Sequence, residues 1–108
     1  MGFWQDVKDV LRKGIAEDNG GAAKTLQLQA EGDDFVTVVY PGDPGGDLRI
    51  KHVERTIVAV DQTLTRGTTA VTNSHQTDLM DGARFEGVFE SNVRKMLGDF
   101  VVAVERQR

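Results

Sequence analysis

Few residues in this chain could do chemistry, and their spacing fits no catalytic pattern. Histidine occurs twice, at His52 and His75, and no H-x-H or H-x-x-x-H pair is present. There is no cysteine, so a thiolate nucleophile, a thiolate metal site and a disulfide framework are all excluded. Zinc is therefore weakly supported. His75 lies in the polar run 72–78, where Ser74, His75 and Asp78 hold the three residue types of a hydrolase triad. Side chains so close along a loop seldom converge as nucleophile, base and orienter, and no G-x-S-x-G elbow exposes a serine. His52 falls on the Leu48 and Ile50 side of an alternating segment. That is the place of a hydrogen-bonded histidine at the edge of a core.

Carboxylates come in pairs at Asp33/Asp34, Asp43/Asp47, Asp78/Asp81 and Glu86/Glu90. Glycoside chemistry needs two of them facing across a cleft furnished with aromatic rings, and the chain has one Trp and one Tyr. Glu86 and Glu90 alternate with Arg84, as cross-strand ion-pairing residues do. The glycine-rich stretch 41–47 has neither the lysine nor the Ser/Thr of a phosphate-binding loop, and its two aspartates would repel an anion. Their spacing is not that of a calcium-binding EF-hand loop either. It reads as a connection. No residue pattern calls for a cofactor.

The elements that must position these residues show a switch of hydrophobic period. Phe3, Trp4, Val7, Val10, Leu11 and Ile15 recur at helical spacing, with Asp6, Asp9, Arg12, Lys13 and Glu17 opposite. A helix over residues 2–18 follows, with Gly14 in its apolar stripe and Asn19-Gly20-Gly21 as its stop. Past Gly21 the pattern alternates. Strands are expected over 24–30, 35–40, 48–53, 56–60, 63–71, 83–90 and 100–104, with turns at 31–34 and at Asp81-Gly82. Residues 91–97 read as a short helix or a wide loop. No internal repeat is present, and no helices alternate with the strands as a parallel βαβ fold requires. The expected architecture is α+β: one domain over 1–108, with an N-terminal amphipathic helix (2–18) on a β-rich body (24–105). That body is a small, mainly antiparallel barrel or sandwich of about six or seven strands.

Bulk properties bear on partners. A chain of 108 residues can bury a core without metal or disulfide support. No apolar run is long enough for a membrane span, and the N-terminus lacks the apolar segment of a signal peptide, so a cytoplasmic location is expected. The net charge of −4 and the dispersal of Lys51, Arg55, Arg66, Arg84, Arg94 and Lys95 argue against nucleic acid. The basic end at 106–108 suits an acidic neighbouring subunit.

Two places suggest contact with other proteins. One is the start of the helix, where Phe3 and Trp4, followed by Val7 and Leu11, could dock as a terminal arm; the simpler expectation is that this face caps the β body. The other is the threonine-rich stretch 63–73, which includes Arg66 and Thr68. It reads as an exposed hairpin, or as an edge that pairs with another chain.

Leu64-Thr65-Arg66 followed by the Thr-rich stretch, together with Gly87-Val88-Phe89, resembles the small head–tail joining or neck proteins of tailed bacteriophages. The resemblance covers under half of the chain. It implies a helix plus a β-rich body, a structural role through homo-oligomeric contacts, and a place in the virion. It carries over no catalytic or binding residue. The expectation is a non-enzymatic subunit of a larger homo-oligomeric assembly that binds copies of itself and neighbouring proteins. The alternatives are a small-ligand barrel or small enzyme using His52 with nearby carboxylates, and an acidic inhibitor of a basic partner.

Overall fold

The computed structural model describes residues 2–19, 26–80 and 88–107. Along the chain run α1 (Phe3–Asn19), β1 (Gln27–Glu31), β2 (Phe35–Tyr40), β3 (Gly45–Glu54), β4 (Ile57–Arg66), β5 (Thr69–Asp78) and α2 (Val88–Glu105). The five strands form one sheet in the order β1-β2-β3-β4-β5, every neighbouring pair antiparallel. Among the described residues this is a meander with two open edges and not a closed barrel, with five strands where about six or seven are expected from the sequence. Both helices contribute to the core on one face of the sheet.

Alternation in the strands decides that face. Val36, Val38 and Tyr40 of β2, Leu48 and Ile50 of β3, and Val58 and Val60 of β4 are all buried. Register places Ile50 opposite both Val36 and Val60, so these side chains form one layer. The other face carries Thr37, Arg49, Lys51, Asp61 and Thr63, among which Arg49 lies 5.0 Å above the Phe35 ring. One dry face and one wet face is the usual state of an antiparallel sheet.

The expected first helix forms with nearly the expected bounds, and Trp4, Val7, Val10, Leu11 and Ile15 are buried. The second helix corrects the sequence reading. Residues 100–104 belong to α2 and not to a closing strand, and so does the 88–90 end of the strand expected over 83–90. Val93, Leu97, Phe100 and Val104 are spaced by four, three and four, and all are buried along one stripe. The apolar run at 100–104 hides that period. Residues 81–87, and with them the expected Asp81-Gly82 turn, lie outside the described residues.

Two glycines set how closely the layers approach. A Cβ on Gly14 of α1 would stand 2.9 Å from Leu97 Cδ1 of α2, so the missing side chain lets the helices meet. A Cβ on Gly46 would overlap the Thr63 carbonyl oxygen and stand 3.2 Å from Phe100 Cε1. Gly45, Gly46 and Asp47 accordingly open β3, and the connection before it shrinks to 41–44. At the sheet's other end Arg12 of α1 forms an ion pair with Glu31 of β1. Among the described residues, no helix is long and apolar enough to cross a membrane.

Candidate functional site

The most exposed regular element is the hairpin of β4 and β5. The stretch 63–71, expected as one strand, spans its tip: β4 ends at Arg66, Gly67 and Thr68 turn, and β5 begins at Thr69. Gly67 sits at φ +61°, as the first position of a two-residue hairpin turn requires. Its N–H donates to Asp43 Oδ1 at 2.7 Å, tying the tip to the neighbouring loop. Thr63 Oγ1 and Thr72 Oγ1 bond across the ladder at 2.9 Å. Ten residue pairs join β4 to β5 with no bulge.

Among the described residues, strand β5 gains little beyond that ladder. Of its ten residues only Thr77 is even half-buried. Val71 is 53 % exposed although it lies on the helix side of the sheet, opposite Leu64. Helix α2 reaches only the base of the strand. There Asn92 Nδ2 donates to the Leu79 carbonyl at 2.7 Å, and Leu79 is fully buried. A polar cleft of about 270 Å³ separates α2 from the strand, lined by His75, Thr77, Asn92, Lys95, Met96 and Asp99, among others.

The backbone phase of β5 follows from the same ladder. Leu79 N–H donates to the Thr56 carbonyl at 2.9 Å. Antiparallel pairs alternate between bonded and non-bonded, so the odd-numbered residues of β5 bond to β4. The N–H and C=O groups of Ala70, Thr72, Ser74 and Gln76 then point to the open edge. Their side chains lie on the wet face.

Arg66 and Thr68 sit at this exposed tip. The other residues singled out for contact are placed elsewhere. Trp4, Val7 and Leu11 are core side chains with 8 %, 0 % and 0 % exposure. Phe3 is half-buried, with its ring 5.9 Å from His52 and 6.1 Å from Phe89. A docking arm made of these four would have to leave the sheet. Trp4 stacks on His52 at 5.6 Å between ring centroids, and its Nε1 is buried with no hydrogen-bond partner among the described residues.

The chemical candidates do not assemble. His52 Nε2 donates to the Arg55 carbonyl at 2.8 Å, closing the turn where Arg55 takes a left-handed φ of 48°. One nitrogen is thus spent on the backbone, and the ring is packed on Trp4. Ser74 and Asp78 point to the wet face while His75 points to the helix side, because successive strand residues alternate. Such a triad cannot converge. Asp78 instead accepts from Thr56 Oγ1 at 2.6 Å and from Met80 N–H at 2.9 Å, and these two bonds, the threonine's first, hold its carboxyl below the usual carboxylate value. Burial pushes Asp47 the other way, above it. Glu90 lies in α2 and pairs with Arg94 at 3.3 Å, a helical i,i+4 contact and not a cross-strand one. Among the described residues, no group of three or more His, Cys, Asp or Glu is placed to hold a metal ion.

The sequence reading stopped the candidate edge at Asn73, whereas the strand runs to Asp78. Residues 74–78 are polar on both faces, so no alternation of apolar and polar residues marks them as strand. The available signal was the unbroken absence of Gly and Pro from Thr68 to Met80. No family model matches this chain, and comparisons with curated proteins and with solved structures give no significant match.

Proposed function

We propose that this protein is a non-enzymatic structural module, a subunit of a larger homo-oligomeric assembly, and that the β4–β5 hairpin is its contact element. One observation carries the reading: a ten-residue edge strand, regular throughout, exposed on both faces. Free edges of monomeric sheets are usually shortened, bulged, covered or guarded by charge and proline. Residues 69–77 have no Lys, Arg, Asp, Glu or Pro. A strand of this kind gives its backbone to a partner.

The virion connector of a tailed bacteriophage is the narrower form of this proposal. Of the residues that prompt the resemblance, the stretch 64–73 lies in this hairpin, whereas Val88 and Phe89 lie in α2 and not in a late strand. Subunits of such a connector would form a ring. Light scattering across a hundredfold range of concentration tests the general reading. An assembly mass that is an integer multiple of the chain's 11.9 kDa is the expected outcome, and a ring would give a fixed multiple above two. A monomer at every concentration would sink the proposal.

A further inference from the structure

We infer that β5 pairs with β5 of a second copy, antiparallel across a two-fold axis at Ser74, so that two five-stranded sheets become one of ten strands. The inference rests on the assembly reading above and names its partner.

The choice of partner edge follows from the two edges the sheet offers. Strand β1 is five residues long, bulged between Leu28 and Ala30, and ends in Glu31, which is engaged by Arg12. It is a blunted edge. Strand β5 has twice the length, no bulge and no formal charge before Asp78. Antiparallel self-pairing sets a strand's own residues against one another, and directly opposed like charges are destabilising. Across 69–77 there are none to oppose, so a second β5 matches this edge in length and in charge.

The register is constrained by phase. To keep the helix side of one sheet continuous with that of the other, even-numbered residues must face even-numbered ones. Those are the residues whose backbone groups point outward. An axis at Ser74 sets Thr72 against Gln76 and Ala70 against Asp78 on the wet face. On the helix side it sets Asn73 against His75, an amide against an imidazole. It also sets Val71 against Thr77, beside the cleft that holds Met96 and the polar side chains of α2. Val71, whose cross-strand neighbour in its own chain is Leu64, thereby gains a second cross-strand neighbour beyond the edge. Moving the axis one residue, to Asn73, would set Val71 against His75 instead, farther from the base of α2.

The chain has no cysteine, so single-cysteine variants take one spin label each. Thr72→Cys, Ser74→Cys and Gln76→Cys place the labels on the wet face. Distances between labels should be shortest at position 74 and grow about equally at 72 and 76. Along the strand axis the two labels move apart by roughly 7 Å per residue, twice the antiparallel rise. An oligomer whose distances lack that minimum overturns the two-fold pairing and leaves the assembly reading standing. A monomer at all concentrations overturns both. Ser74→Pro supplies the matching loss: its N–H is not used by β4, so the fold should survive by circular dichroism while the mass falls to that of one chain. A folded Ser74→Pro protein that keeps the oligomer mass contradicts the inference.

Discussion

Phe100 and Gly46 show how single residues set the geometry beneath the hairpin. The ring of Phe100 is fully buried and reaches the backbone of β3 because position 46 has no side chain. Gly46→Ala should therefore destabilise the protein by about 1–3 kcal/mol, the usual cost of overfilling a packed site. A lowered urea midpoint with an unchanged slope would register it; an unchanged midpoint would mean that β3 and α2 have room to spare. Asp78 supports a prediction about pH. Its carboxyl titrates below the usual value because Thr56 and the Met80 amide bond to the charged form. A carboxylate whose folded value is depressed adds stability above the ordinary carboxylate range, and that stability is lost as pH falls through the folded value. Thr56→Val should raise the Asp78 value towards the ordinary one, as read by a carboxyl-carbon NMR titration. No movement would show that the threonine bond is not formed in solution. Asp47 has the opposite sign, since its raised value makes the charged form the less favoured one in the fold.

At the scale of elements, legibility in the sequence followed how one-sided each element's burial is. Helix α1 buries a single stripe and β2 alternates strictly, so both were readable nearly to the residue. Helix α2 was not. Its exposed side carries Val102 and its half-buried flank Val101, which lengthen an apolar run into the look of a strand and mask the period of Val93, Leu97, Phe100 and Val104. Strand β5 was half-legible, because with neither face buried only β propensity and the Gly67 turn betray it. The triad candidate failed for a related reason: Ser74, His75 and Asp78 are neighbours in a list but alternate across a sheet. Glycines in the two helices differ in the same physical way. A Cβ on Gly98 of α2 meets no atom within 4 Å, whereas one on Gly14 of α1 presses on Leu97. Gly98→Ala should raise stability by about 0.5–1 kcal/mol through helix propensity, and Gly14→Ala by clearly less. Thermal unfolding of the pair checks this, and equal gains would contradict the close approach of the helices.

The described residues form a two-layer structure whose helices shield the middle of a sheet and leave one long edge open. Its core accounts for β2, β3, half of β4 and both helix stripes, and it leaves β5 without a burial reason to be ten residues long. Pairing with another strand supplies that reason through the backbone and not through side chains. The contact candidates Arg66 and Thr68 then lie at the end of the edge, while Trp4, Val7 and Leu11 serve the scaffold. Amide hydrogen exchange resolved along β5 reads this most directly, because the ladder to β4 protects only every second residue. At concentrations where the mass exceeds one chain, the amides of Ala70, Thr72, Ser74 and Gln76 should be as protected as those of Val71, Asn73 and His75. Fast exchange at the even positions beside slow exchange at the odd ones, under those same conditions, would contradict the claim that this edge is what the protein uses to assemble.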